Sequence, residues 1–340
     1  MIKKEKLMKA YIVDRYSKSA LLREGELPTP EVMPDEVLIQ VHATSVNPLD
    51  FKIRNGDFKL FMPVRLPFAL GHDVAGVVVS VGEKVKNFKI GDEVYASPDD
   101  FQVGTFAEYV AVKEPALALK PKNISMEEAA SIPLVGLTAW QILVERTKIG
   151  VGQKVFIQAG SGGVGSFAIQ LAKYLGAEVA TTTSTVNVNW VKNLGADLVI
   201  DYKQANFEEI LSNCDVVLNS QDSTTLEKSL KVLKSGGQVI SISGPPDIGF
   251  AEALKLPWPL KQVMRLLSWS AIRKAKSLNV SYSFHFKYAS GEQLQQITEL
   301  IEKGVIRPVL DKIFPFEKTN DAMAYVESGR AKGKVVIKVR

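Results

Sequence analysis

Val155-Phe156-Ile157-Gln158-Ala159-Gly160-Ser161-Gly162-Gly163-Val164-Gly165-Ser166 is the stretch that decides how this chain folds. Val155 to Ala159 reads as an apolar strand. Ser166 to Leu175 reads as a helix with Ala168, Leu171, Ala172 and Leu175 on one face, and Gly176 stands where a helix-ending glycine belongs. Between them, Gly160 to Gly165 fits the pattern G-x-G-x-x-G, which carries meaning only in this strand-turn-helix setting. Gly160 permits the tight turn, Gly162 lets the backbone approach a diphosphate, and Gly165 lets the helix pack close to the strand. Free main-chain NH groups and the helix dipole then stabilise the anion. A glycine-rich connection without a ligand is the plainer alternative. A triphosphate-binding loop is excluded, because no Gly-Lys-Ser/Thr follows.

Downstream, Val179 to Thr183, Leu198 to Asp201, Val216 to Asn219 and Gln238 to Ser243 read as further strands separated by helical or loop segments. That rhythm implies a parallel sheet covered on both faces. About 20 residues past the glycines, an NAD-selective site places an Asp or Glu. This chain has Thr181-Thr182-Thr183-Ser184-Thr185 there, so no carboxylate repels a 2′-phosphate and hydroxyls are available to bind one. The expected cofactor is NADP(H), although Val186-Asn187-Val188-Asn189 adds no cation beside the hydroxyls.

Upstream, the first 125 residues read as short strands broken by turns. Val37, Ile39, Val41 and Ala43 alternate with Leu38, Gln40 and His42, the period of a half-buried strand. The first seven residues read as a solvated tail before a strand at Lys9 to Val13. Ser125 and Glu128 fit a capping box, opening a helical region to about Val144 interrupted by Pro133 and Gly136. Pro245-Pro246 closes the alternating series. Residues 251–276 then form a basic, Trp-containing helical stretch with Leu260, Val263, Met264, Leu267 and Ala271 on one face. A core or subunit-contact helix is the expectation for it, a membrane-surface helix the alternative. From Gly291 the chain returns to helix and then strands, ending in Lys334 to Ile337.

The 340 residues suit two lobes, and 46% hydrophobic with 23% charged is ordinary globular composition. The net charge of +5 is spread along the chain and says little by itself. Cys214 is the single cysteine, so an intrachain disulfide and a multi-thiolate zinc site are both excluded. With no secretory signal and no apolar run long enough to span a bilayer, a cytosolic address is expected.

With these motifs placed, the chain resembles the zinc-independent quinone oxidoreductase and enone/alkenal reductase branch of the medium-chain dehydrogenase/reductase superfamily. The resemblance rests on Asn47-Pro48-Leu49-Asp50-Phe51-Lys52, Gly71-His72-Asp73-Val74-Ala75-Gly76, Gly136-Leu137-Thr138-Ala139, the glycine turn, Leu194-Gly195-Ala196-Asp197 with Asp201-Tyr202, and Glu327 to Lys334. It implies an α/β fold: a Rossmann-type doubly wound parallel sheet plus a GroES-like β-rich catalytic domain, with the active site in the cleft. The implied segments are 1–125 and 285–340 for the catalytic domain and 126–284 for the cofactor domain. A homodimer joined through the Rossmann sheets is also implied. Zinc-dependent relatives carry a cysteine near Asn47 and a four-cysteine lobe that this chain lacks. No metal site is therefore expected, and His72 reads as a structural loop histidine. By the same resemblance the Gly163 and Val164 amides hold the diphosphate, Ser184, Thr185 and Asn187 lie at the 2′-phosphate, and Tyr202 packs beside the adenosine phosphate. Thr138, Ile242 and Ser243 flank the nicotinamide, and Arg330, Gly333 and Lys334 fold back on the cofactor.

Without a metal, donors held in a dry cleft must stabilise charge developing on a carbonyl oxygen during hydride transfer. Asn47 and Lys52 are the candidates, and the competing role for Lys52 is a salt bridge to Asp50 or Glu108. The expected reaction is reduction of a quinone or an α,β-unsaturated carbonyl by NADPH. The rival is an NADPH-binding structural or RNA-binding protein of the same fold. Neither nucleic acid nor membrane insertion is expected for the enzyme.

Overall fold

The alternation at Val37, Ile39, Val41 and Ala43 puts all four side chains in the interior of one long strand, Glu36–Val46. That strand is the spine of a seven-stranded sheet in the computed structural model, which describes residues 6–18, 20–60, 64–98 and 103–340. The sheet runs Leu310–Pro315, Lys334–Lys338, Glu36–Val46, Val74–Val81, Glu93–Ala96 and Leu117–Leu119, with Tyr109–Lys113 also paired to Glu36–Val46. A smaller antiparallel sheet joins Arg23–Pro28, Leu7–Val13 and Phe68–Ala69. Residues 1–5 of the expected tail lie outside the described residues, and the first strand begins at Leu7.

Chain segments far apart in sequence share this sheet, since Val335 lies opposite Val46 and Lys338 opposite Ala43. Residues 1–137 with 288–340 accordingly form one unit, and 138–287 form a second. The capping box is present: the Ser125 hydroxyl accepts from the Glu128 NH at 3.1 Å, and the Glu128 carboxylate accepts from the Ser125 NH at 2.8 Å. The short helix it opens, Met126–Ala130, packs on strands Glu36–Val46 and Val74–Val81. Residues 126–137 therefore group with the first unit, and the division falls after Leu137 and after Lys287 rather than at 125/126 and 284/285. Pro133 opens the next helix, Pro133–Trp140, where its missing NH costs nothing, and Gly136 sits inside that helix without interrupting it.

In the second unit six strands, all parallel, lie in the order Leu198–Asp201, Glu178–Thr183, Lys154–Ile157, Cys214–Asn219, Leu233–Ser241 and Ser281–Phe284. Phe156, Val217 and Val239 pack with Leu226, Leu230 and Ala275 of the helices. Val155, Ile157 and Leu218 alternate with them and are equally buried, so both faces of the sheet are covered. This is the doubly wound arrangement. Chain order reverses between Lys154–Ile157 and Cys214–Asn219, which makes the carboxyl ends of these two strands the natural crevice for a ligand.

The basic stretch forms two helices, Ile248–Ala253 and Trp258–Ser277, parted by a left-handed Lys255 (φ 51°) and by Pro257. Its packing differs in part from the expected face. Of the anticipated inner stripe Met264 is buried and Ala271 packs on the core, while Val263 and Leu267 are exposed, and Ser268 and Ala275 are buried in their place. Large apolar residues lie all around this helix, so periodicity did not select a side, and the small residues Ser268 and Ala275 permit the closest approach to neighbours. Among the described residues no helix is long and apolar enough to cross a membrane.

Candidate cofactor and catalytic sites

Strand Lys154–Ile157 hands over to helix Gly163–Tyr174 through the glycine turn, and each glycine is required for a different reason. A Cβ on Gly165 would stand 2.2 Å from the Ala159 carbonyl oxygen and 2.8 Å from the Gly160 Cα, so only glycine lets the helix start this close to the strand. A Cβ on Gly160 would meet the Thr181 hydroxyl at 2.3 Å. Gly162 is different: its nearest neighbour would be the Ala159 oxygen at 3.3 Å. Packing inside the protein does not demand glycine at 162, and its absent side chain leaves the approach to the helix open. Ala159 itself sits at φ 51°, an uncommon conformation for a side-chain-bearing residue. The Gly160 and Gly162 amides donate within the protein, to Thr182 O and Ala159 O, each at 2.9 Å. The amides of Gly163 and Val164 lie in the first helical turn, which has no intrahelical acceptors. An open face above outward NH groups at a helix N-terminus fits a dinucleotide's diphosphate.

The other expected cofactor residues of this unit follow strand ends on the same edge of the sheet. Ser184, Thr185 and Asn187 come directly after Glu178–Thr183; the Asn187 amide donates to the Ser184 hydroxyl at 3.0 Å and accepts from the Trp190 indole at 3.0 Å. Thr185 is exposed, and the buried Thr183 hydroxyl has no hydrogen-bond partner among the described residues. Tyr202 follows Leu198–Asp201 and is exposed. Ile242 and Ser243 follow Leu233–Ser241, the Ser243 hydroxyl donating to Gln221 O at 2.5 Å. Thr138 stands apart from the sheet edge, buried in helix Pro133–Trp140.

Sequence reading passed over the polar groups beneath this edge. The Gln158 carbonyl accepts from the Asn219 amide at 2.8 Å, its NH2 donates to Ser229 at 2.5 Å, and the Ser241 hydroxyl donates to Asn219 at 2.6 Å. All four are buried, and they tie three neighbouring strand ends to one helix, which fixes the floor of the crevice.

In the first unit Asn47 caps helix Pro48–Asn55 and belongs to a buried network centred on Asp73. Asp73 accepts from Ser45 Oγ at 2.6 Å, from Asn47 Nδ2 at 2.8 Å, from the Leu134 NH at 2.7 Å and from Lys334 Nζ at 3.2 Å. Lys334 Nζ also donates to Asn47 Oδ1 at 2.5 Å. Asn47 and Lys334, assigned separate roles on the sequence, are thus direct neighbours. Asp50 takes the Asn47 NH at 2.7 Å on one oxygen and His72 Nδ1 at 2.6 Å on the other, and the buried His72 Nε2 has no partner among the described residues. Gly333 is buried at φ 78°, where a Cβ would meet Val309 O at 2.3 Å, and Arg330 is exposed.

Lys52 lies one turn into the same helix. Asp50 is committed to His72 and Asn47, and Glu108 to the Lys9 NH and Arg340, so neither expected salt bridge to Lys52 forms. Among the described residues its half-buried ammonium makes no hydrogen bond or ion pair. Burial holds its pKa below the usual lysine value, with Asp57 opposing the shift weakly. A desolvated cation without a partner is a donor prepared for an anion it does not yet hold. Among the described residues no group of three or more His, Cys, Asp or Glu side chains is arranged to hold a metal ion.

Residues 33–122 match the alcohol dehydrogenase GroES-like domain, and residues 194–337 match the family described as zinc-binding dehydrogenase. The 2-methylene-furan-3-one reductase of Solanum lycopersicum is 39% identical over 97% of this chain and 79% of its own length. The chain belongs to the quinone oxidoreductase and enone reductase branch of the medium-chain dehydrogenase/reductase family. Within that family it is also 38% identical to the chloroplastic NADPH-dependent alkenal/one oxidoreductase of Arabidopsis thaliana, over 98% of this chain and 80% of the relative. The solved structure of the quinone oxidoreductase from Coxiella burnetii superimposes with a TM-score of 0.86 at 31% identity, covering 98% of this chain and 100% of that one.

Proposed function

We propose that this family member is an NADPH-dependent reductase that acts on quinones or on the carbon–carbon double bond of α,β-unsaturated carbonyls. When bound, NADPH supplies the hydride for the quinone or for the β-carbon. The observation that carries the reading is the open diphosphate cradle at Gly162–Val164, and the family relationship names the electrophile. The amides of Gly163 and Val164 hold the diphosphate. Ser184, Thr185 and Asn187 line the 2′-phosphate, and Tyr202 the adenosine. Thr138, Ile242 and Ser243 would flank the nicotinamide, with Arg330 and Gly333 as further cofactor-binding residues. Lys52 donates to the carbonyl oxygen as negative charge grows there, and Asn47, held by Asp73 and Lys334, keeps that helix in place. Solvent provides the proton that completes the reduction.

The test is NADPH oxidation followed with a quinone, a 2-alkenal and a saturated aldehyde. Turnover of the first two is expected, and turnover confined to the saturated aldehyde contradicts the reading. Tight NADPH binding with no turnover on any substrate favours the non-catalytic rival. We further propose a cytosolic homodimer joined through the Rossmann sheets. Sedimentation velocity is then expected to give twice the 37.3 kDa chain mass.

A further inference from the structure

Helix Trp258–Ser277 carries apolar side chains on its outer face as well as its inner one. Its inner side is made of Met264, Ser268 and Ala275 with Ala271 and Ile272 beside them, and Ser268 Oγ is bonded back to Met264 O at 2.9 Å. Five of its large apolar side chains face away from the protein: Leu266 is 80% exposed, Trp258 71%, Trp269 56%, and Leu267 and Val263 are also exposed. The spacing of Val263, Leu266, Trp269 and Arg273 places these four on one outward face. The helix carries Lys261, Arg265, Arg273, Lys274 and Lys276 and no acidic residue. Lys274 is paired with Glu227, and the Arg273 guanidinium lies over the Trp269 ring at 5.1 Å. Lys261, Arg265, Arg273 and Lys276 make no ion pair among the described residues.

We propose that this face seats the protein on an anionic lipid bilayer, lying in the headgroup layer without crossing it. Exposed Trp and Leu side chains bordered by unpaired cations are the features that partition into a negatively charged interface, where the apolar groups enter and the cations meet lipid phosphates. Charge argues against a second copy on the same face, because a two-fold contact would set an acid-free basic helix against itself. The helix is not apolar enough to span, which leaves the surface position. The inference concerns a face distinct from the glycine turn and does not depend on the reductase reading.

The experiment is co-sedimentation of the full chain, without NADPH or substrate, with phosphatidylcholine vesicles and with vesicles containing about 30% phosphatidylserine. Binding to the anionic vesicles is expected to exceed binding to the neutral ones at least about tenfold, to weaken as salt rises well above roughly 0.15 M, and to be accompanied by a blue shift of tryptophan emission. Replacing Arg265 and Lys276 by Gln is expected to lower binding about fivefold per cation removed. The double variant Leu266→Ser, Trp269→Ser is expected to lower it at least about tenfold with reductase activity unchanged. Equal binding of wild type and both variants, or none to either vesicle, overturns the proposal. So does a halved sedimentation mass of the Leu266→Ser, Trp269→Ser protein, which would give the face to a second copy. Preference for single-stranded RNA over anionic vesicles overturns it in favour of nucleic acid.

Discussion

Lys52 and His285 are both shifted by burial but in settings with opposite consequences. Lys52 is useful only as an ammonium. Turnover is therefore expected to fall as pH rises through a pKa that lies below the usual 10.5, and Lys52→Arg is expected to remove that alkaline limb from the pH–rate profile. Lys52→Met is expected to lower kcat about 10²–10³-fold with little change in KM for NADPH, measured by steady-state kinetics. His285, buried with Arg146 3.4 Å from its Nδ1, is held neutral by desolvation first and by that cation second, its pKa pushed down to about 3. The unfolded chain protonates this ring near 6.5, so the fold loses stability as pH falls from there toward 3, by up to about 1.4 kcal/mol per pH unit. Urea midpoints at neutral and mildly acidic pH are expected to differ less in His285→Gln than in the wild type.

At the level of elements, the glycine turn separates ligand binding from folding. Gly165→Ala drives a Cβ into main chain at 2.2 Å and is expected to destabilise the protein by about 1–3 kcal/mol, read from denaturant unfolding. Gly162→Ala meets its nearest neighbour, the Ala159 oxygen, only at 3.3 Å and is expected to cost much less stability than Gly165→Ala while raising KM for NADPH. The Asp73 network fastens helix Pro48–Asn55 to strand Lys334–Lys338. Asp73→Asn strands the Lys334 charge in the interior and is expected to cost about 3–5 kcal/mol, part of it recovered when Lys334→Met is added. The turn was legible because its residues are consecutive and each performs a local geometric task. The Ser125–Glu128 box and the alternation at Val37–Ala43 were legible for the same reason. Asp73 was not, because its partners at 45, 47, 134 and 334 come together only in the folded unit, and no spacing announces them. The packed face of Trp258–Ser277 was legible only in part, at Met264 and Ala271, because large apolar residues surround that helix and the small Ser268 and Ala275 complete the packed side. Gln158 and Asn219 look like ordinary polar residues closing a strand until the parallel register sets them side by side.

For the molecule as a whole, the sheet shared by residues 1–137 and 288–340 has a consequence for biosynthesis. Strand Glu36–Val46 leaves the ribosome about 290 residues before Lys334–Lys338, which pairs with its far half. At roughly 5–20 amino acids per second, that part of the nascent sheet waits on the order of 15–60 s with an open hydrogen-bonding edge. The intervening 138–287 segment has a sheet and core of its own, and it can complete them during that interval. Stalled nascent chains long enough to have released residue 287 from the ribosome, but not strand Lys334–Lys338, are expected to resist protease across 138–287 and to be cut within 1–137. Protection of both regions at that length would show that the early strands find shelter before their late partner is made.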